Sequence, residues 1–259
     1  MTEAPSPQDL LRAAIDISGE AASIPMRYFR SALAVEDKAD DSPVTIADRE
    51  TEQYIRRALR ARFPGHGILG EEFGGDKADA EFTWIVDPID GTRSFICGVP
   101  LFGMLLGVLH KGVPIAGIIR MPALGECFAG CRDGEATLNG APIRCRGVVH
   151  PPAARIFINE ANRMVEREPE RLRRLMALGH TRRFSNDCYP FGLLAAGQID
   201  AVVDFDLQPY DYLPLVPVVE AAGGTITDWR GSPLGLRSDG TVLAAATREL
   251  HHAIMDQLL

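Results

Sequence analysis

Asp87 and Asp90 stand three residues apart at the end of a fully apolar run, Trp84-Ile85-Val86, with Pro88 between them. Proline fixes one backbone angle, which helps aim both carboxylates at a common point and makes the Ile89 carbonyl available as a further hard oxygen. Mg²⁺ takes a few protein oxygens of this kind and fills its remaining positions with water and substrate phosphate. Gly91-Thr92 follows directly. A helical turn starting there would present backbone N–H groups to an anion, and Gly91 allows a phosphate to come close. Metal-binding carboxylates beside an N–H cradle are what phosphoryl transfer requires. The plainer alternative is a solvated Asp-Pro turn closing a strand.

Two more acidic points bear on the choice. Gly70-Glu71-Glu72 follows its own apolar run, Ile68-Leu69, so a carboxylate emerges at a strand end, where α/β proteins often place ligands. Pro209-Tyr210-Asp211 precedes a helical stretch ending in Glu220-Ala221-Ala222-Gly223-Gly224. Taken alone, Asp211 reads as a helix cap and the glycine pair as a helix stop.

Together these pieces resemble the inositol monophosphatase superfamily of Mg²⁺-dependent phosphatases, with all three motifs in the family's order across roughly residues 10–230. The resemblance implies a fold of layered, alternating helices and sheets, α+β or α/β in class, as in the sugar phosphatases. It implies metal ligation by Glu71, Asp87, the Ile89 carbonyl, Asp90 and Asp211, with phosphate held at Gly91, Thr92 and Arg93. Lys38 and Asp48 match positions lining the site; without the family both read as solvent-facing charges. The implied chemistry is metal-assisted hydrolysis without a covalent intermediate, in which Glu71 or an Asp48–Thr92 pair orients or deprotonates water.

For the substrate, Asp187-Cys188-Tyr189 and Pro209-Tyr210-Asp211 look most like the histidinol-phosphate phosphatase branch. Histidinol phosphate carries an ammonium and an imidazole, which Asp187 and Asp204 could pair with. Asp187 is equally a plain helix cap, and Asp204 and Asn186 depart from the residues usual in that branch. Inositol monophosphatase and 3′-phosphonucleotide phosphatase are the rival enzymes. A partner protein of the transcription machinery is the non-enzymatic alternative. Relatives of this kind are commonly homodimers.

These residues need elements to position them. Ser6-Pro7-Gln8-Asp9 predicts a helix start, with a kink or end at Pro25. Thr45 begins a second helix that Pro64-Gly65 stops. Residues 101–109, 113–120 and 126–131 read as strands of an antiparallel sheet. Composition breaks at His150-Pro151-Pro152, predicting an N-terminal α+β subdomain over 1–150 and a C-terminal α/β subdomain over 151–259 that completes the site. In the second, 155–158, 201–205 and 225–229 read as strands, and 168–178, 188–196 and 211–222 as helices.

Composition narrows the function classes. A net charge of −8 gives nucleic acid no evident attraction. No apolar run approaches the roughly 18 residues of a membrane span, and the N-terminus lacks a secretion signal, so the expected location is the cytoplasm. The five scattered cysteines read as reduced thiols, and the charged 166–174 stretch, the 36–41 acidic run and the His251-His252 pair as solvated faces.

Overall fold

The computed structural model describes residues 4–32, 34–37, 43–77 and 79–259. Helix α1 (Pro7–Ala21) starts where Ser6 and Asp9 close a reciprocal capping box, and α2 (Ser23–Tyr28) continues it with Pro25 inside rather than at its end. Strands β1 (Val35–Asp37) and β2 (Pro43–Thr45) pair antiparallel and lead into α3 (Ile46–Arg62). Thr45 and Asp48 cap that helix by the same reciprocal device.

An eight-stranded sheet follows: β3 (Gly67–Gly70), β4 (Gly74–Asp76), β5 (Phe82–Asp90), β6 (Gly103–His110), β7 (Val113–Met121), β8 (Glu126–Cys131), β9 (Thr137–Leu138) and β10 (Ala141–Pro142). Its order is β10-β9-β8-β7-β6-β5-β3-β4. It is antiparallel except where β3 and β5 run parallel, and that exception carries Glu71 and Asp87 to the same edge of the sheet. The Asp87–Asp90 segment is not a turn ending a strand: it stays in β5, whose register against β6 shifts between those two residues. A register irregularity is a common way to re-aim side chains beside a site.

Short helix α4 (Thr92–Ile96) follows β5 at once, as expected. The chain then builds a five-stranded sheet from β11 (Arg155–Ile158), β12 (Thr181–Phe184), β13 (Ala201–Asp204), β14 (Thr225–Thr227) and β15 (Val242–Ala245), in the order β12-β11-β13-β15-β14. Helix α6 (Pro169–Met176) stands where a helix over 168–178 was expected, and a further short helix, α5 (Ala161–Arg167), precedes it. In contrast, α8 (Pro209–Tyr212) and α9 (Leu215–Ala221) replace the single helix expected over 211–222. Pro169 starts α6 apart from α5, and Pro214 separates α8 from α9, since proline supplies no amide hydrogen bond to continue a helix. The pattern does not close at residue 229: β15 and a capped helix α10 (Arg248–Leu258) follow.

The layers alternate. Helices α1 and α3 cover one face of the large sheet, with Leu10, Ile17, Ile55 and Trp84 in that core. Helix α7 (Tyr189–Ala195) with α9 fills the space between the two sheets, around Phe128, Phe191 and Val218. Helices α6 and α10 cover the outer face of the small sheet. Burial of His251 in this last layer corrects its reading as a solvated residue: it is 2% exposed, while His252 is exposed.

The seating of α9 has a sequence cause. Gly107, Gly117 and Gly130 lie side by side across β6, β7 and β8. A Cβ on Gly117 would come 2.0 Å from the Pro214 carbonyl oxygen, and one on Gly130 2.6 Å from that of Pro217. The glycine row lets α9 lie on the sheet backbone, and this docking brings Asp211, three residues before Pro214, to the end of β5.

Candidate active site

Strand β5 buries Asp87, which is 1% exposed, and its Oδ1 accepts from the Ile89 amide at 3.0 Å. Asp90 leaves the strand half-buried, and its Oδ2 accepts from the Cys188 amide at 2.6 Å. Asp211 sits in α8, where its Oδ2 accepts from the Gln208 amide at 2.7 Å, so it is both a capping residue and part of the cleft. Oxygens of Asp87, Asp90 and Asp211 lie within 4.8 Å of one another, and Glu71 is in hydrogen-bond contact with Asp87.

Crowding leaves a strong electrostatic mark. Burial, followed by the charges of Glu71, Asp90 and Asp211, pushes the Asp87 carboxyl well above its ordinary range. Burial and then Asp90 do the same to Asp211. The Asp90 carboxyl is pushed up to about 7, by burial first and the Asp187 charge second. Among the described residues no lysine or arginine forms an ion pair with Asp87, Asp90 or Asp211. Hard oxygen donors that repel one another, with the three aspartates unpaired to any lysine or arginine among the described residues, fit a divalent cation.

Gly91 adopts φ +82°, a conformation costly for any residue with a Cβ, and a Cβ there would also strike Asp187 Cγ at 2.6 Å. The next residue, Thr92, places its hydroxyl 3.1 Å from the Ile89 carbonyl and 3.2 Å from Asp48 Oδ1. One hydroxyl proton serves one of those acceptors at a time. Asp48 is fully buried on α3; its Oδ2 accepts from the Thr45 amide and hydroxyl, and burial raises its carboxyl. Asp48 is therefore no solvent-facing charge.

A cleft of about 410 Å³ opens onto Glu71, Asp87, Ile89, Asp90, Gly91, Thr92, Arg93 and Asp211. A smaller recess of about 70 Å³ adjoins it, lined by Asp187, Glu160, Asn159 and Asp204, and sharing Asp90 and Asp211 with it. Asp187 does not cap α7, whose cap residue is Cys188; its Oδ2 instead accepts from the Ser94 hydroxyl at 2.5 Å. Asp204, 3% exposed, is driven upward by burial while Asn159 Nδ2 donates to its Oδ2 at 2.8 Å. The same Asn159 amide group donates to the Asp187 carbonyl at 2.8 Å, tying the two acidic segments together. Lys38 lies outside the described residues.

Asn159 and Glu160 escaped the reading of the sequence. They follow β11, and only the parallel pairing of β11 with β13 brings them beside Asp204. A buried Asn ending a β-rich apolar run was the available signal.

A model of the inositol monophosphatase family matches residues 6–258. The chain belongs to the inositol monophosphatase family. It is accordingly a phosphomonoester hydrolase, and the match extends past the roughly residue-230 limit of the motif resemblance. The chain is 37% identical to the histidinol-phosphatase of Chlorobaculum parvum over 90% of its own length and 91% of that protein's. It is also 37% identical to the bifunctional phosphatase IMPL2, chloroplastic, of Arabidopsis thaliana, over 95% of this chain and 73% of that one. A solved inositol monophosphatase from Zymomonas mobilis superposes with a TM-score of 0.89 at 35% identity, covering 98% of this chain and 99% of the other. The layered fold expected from the motifs is thus the fold of the family, whose members are generally metal-dependent. No helix among the described residues is long and apolar enough to cross a membrane.

Proposed function

We propose that this phosphatase is a Mg²⁺-dependent histidinol-phosphate phosphatase, converting L-histidinol phosphate and water to L-histidinol and phosphate. The observation that carries the reading is the continuity of two acidic features: the Glu71/Asp87/Asp90/Asp211 end of the cleft and the Asp187/Glu160/Asp204 recess beside it. The first suits a metal-held phosphate, and the second suits a leaving group bearing an ammonium and an imidazole. The relationship to the Chlorobaculum parvum histidinol-phosphatase supports the same substrate.

In this reading residues 1–150 supply the metal and phosphate motifs, and residues 151–259 complete the site. Glu71, Asp87, Asp90, Asp211 and the Ile89 carbonyl hold the metal. Bound Mg²⁺ supplies charge neutralisation at the phosphoryl oxygens and a more acidic water. Gly91, Thr92 and Arg93 receive the phosphate, and Glu71 orients the attacking water. The Thr92 hydroxyl relays a proton toward Asp48, whose burial equips its carboxyl to hold one. Asp187 and Asp204 face the cationic leaving group; Lys38 is kept on the family resemblance alone. The reading also includes a cytoplasmic homodimer.

The inositol monophosphatase reading is favoured by the Zymomonas mobilis structure, which covers almost the whole chain. Comparing kcat/KM for histidinol phosphate, inositol 1-phosphate and 3′-phosphoadenosine 5′-phosphate, each with Mg²⁺, decides between them. Histidinol phosphate is expected to lead by at least about tenfold, since a site built around charged contacts discriminates against a leaving group lacking them. Preference for either other ester overturns the substrate assignment.

A further inference from the structure

Glu52 lies on α3, outside the cleft, and is completely buried. Its Oε2 accepts from the Glu72 amide at 2.7 Å, and its Oε1 from the Phe73 amide at 3.3 Å and from Arg56 Nε at 2.7 Å. Arg56, nearly as buried, donates onward to the Gly74 carbonyl. One buried ion pair thus grips Glu72 and Phe73 of the turn between β3 and β4, and Gly74, which opens β4. Glu71 is the residue immediately before the gripped segment, and its own amide is held by the Val86 carbonyl at 3.1 Å. Gly70 belongs to the same device. A Cβ at that position would lie 2.1 Å from Glu52 Oε1, so the glycine of Gly70-Glu71-Glu72 makes room for the Glu52 carboxylate.

We propose that Glu52 is a positioning residue for Glu71: by anchoring the Glu72 and Phe73 amides from below, it fixes the direction in which the Glu71 carboxylate enters the cleft. The inference rests on the reading of Glu71 as a metal ligand. A buried carboxylate is a strong anchor for this purpose, because amide hydrogen bonds to a charged acceptor are short and roughly twice as strong as neutral ones. The location is also costly for a charge without such partners, and Arg56 supplies the compensating one. Helix packing alone would have been served by an apolar residue.

The test measures Mg²⁺ affinity by calorimetric titration, together with amide hydrogen exchange in the 71–74 turn. Glu52→Gln puts an NH₂ group where two amides and a guanidinium all need an acceptor. It is expected to weaken Mg²⁺ binding about 10–100-fold, the usual cost of losing support for a metal ligand. Exchange at Glu72 and Phe73 should speed up while exchange in the interior of the large sheet stays at the wild-type rate, a split that a generally damaged fold would not give. Gly70→Ala, which displaces the Glu52 carboxylate, should give the same pattern. Combined Glu52→Met and Arg56→Met replaces the buried pair with apolar groups of similar length, an exchange that often preserves stability. It should melt near wild type and still bind Mg²⁺ weakly. Wild-type Mg²⁺ affinity in Glu52→Gln, or in the stable double variant, overturns the proposal. Glu71→Gln is the control: if it too leaves affinity unchanged, the metal reading of Glu71 and the clamp fall together. If it alone lowers affinity, only the clamp falls.

Discussion

The backbone amide of Cys188 donates to Asp90 Oδ2 at 2.6 Å. Asp90 ends a strand of the large sheet, whereas Cys188 caps the helix lying between the two sheets, 98 residues further along the chain. The bond fixes one carboxylate oxygen and leaves the other for the cleft. It also makes the site a product of how the layers stack, since neither sheet alone supplies Glu71, Asp87, Asp90 and Asp211 together with the acidic recess.

Replacing Asp90 separates its two effects. Asp90→Asn keeps an oxygen for the Cys188 amide but removes one of the mutually repelling charges. Turnover with Mg²⁺ is expected to fall about 100-fold or more. Without metal, the variant should melt at or above the wild-type temperature, because like-charge repulsion is relieved. Steady-state kinetics and thermal melts in EDTA check both. Full activity would remove Asp90 from the site.

The pH dependence follows from the raised carboxyls. The ordinary Asp value lies near 3.9, and Asp90 in the folded protein is pushed up to about 7. A group whose pKa rises on folding gives stability that is complete below its unfolded value and is lost as pH climbs through its folded value. Metal-free protein should therefore lose stability as pH climbs from about 4 to about 7, and Asp90→Asn should lose less. Metal requires the deprotonated form, so Mg²⁺ affinity should rise over the same window, by up to about tenfold per pH unit for each proton displaced. Calorimetric titration at pH 5, 6 and 7 measures it. A flat profile would contradict the raised Asp90 carboxyl.

These effects show why some of the site was readable and some was not. Asp87, Ile89, Asp90, Gly91 and Thr92 are contiguous, so their chemistry is visible in one segment of sequence. Thr45 and Asp48 form a capping box, and that spacing locates a helix start without showing that Asp48 also reaches Thr92. Glu52 looks like any charged residue on a helix; its burial comes from the glycine opposite it. Asn159 and Glu160 depend on strand pairing across some 45 residues, which no local pattern encodes. The order of the two sheets was likewise hidden, because β13 pairs with β11 before it and β15 after it.

The glycine row under α9 predicts a coupling between packing and metal binding. Gly117→Ala puts a methyl group 2.0 Å from the Pro214 carbonyl oxygen, and neither backbone segment can yield as a flexible side chain would. Overpacking of this kind costs about 1–3 kcal/mol, and a site closed by backbone on both sides belongs at the upper end. Retreat of α9 would carry Asp211 with it, so Mg²⁺ affinity should fall as well. Gly65→Ala is the control, since a Cβ there meets nothing within 4 Å. Urea unfolding and metal titration of both variants test the coupling; a stable Gly117→Ala protein with normal affinity would refute it.

Asp204 tests the substrate assignment most directly. Burial holds its carboxyl well above the ordinary range, so without a ligand it is biased toward the neutral acid. A cationic leaving group would reverse that bias by pairing with the ionised form, whereas a neutral polyol offers only hydroxyls. Asp204→Asn keeps the side chain's size and one acceptor oxygen, enough for Asn159 Nδ2 or for the Phe205 amide but not for both, and turnover of inositol 1-phosphate reports any resulting change in the recess. The expected result is a fall of about 10–100-fold in kcat/KM for histidinol phosphate, the size of a charged hydrogen bond. For inositol 1-phosphate the change should stay within about threefold, because its leaving group carries no charge for Asp204 to meet. Equal losses on both esters would mean that Asp204 only supports the recess, and the case for a cationic leaving group would then rest on Asp187 and Glu160.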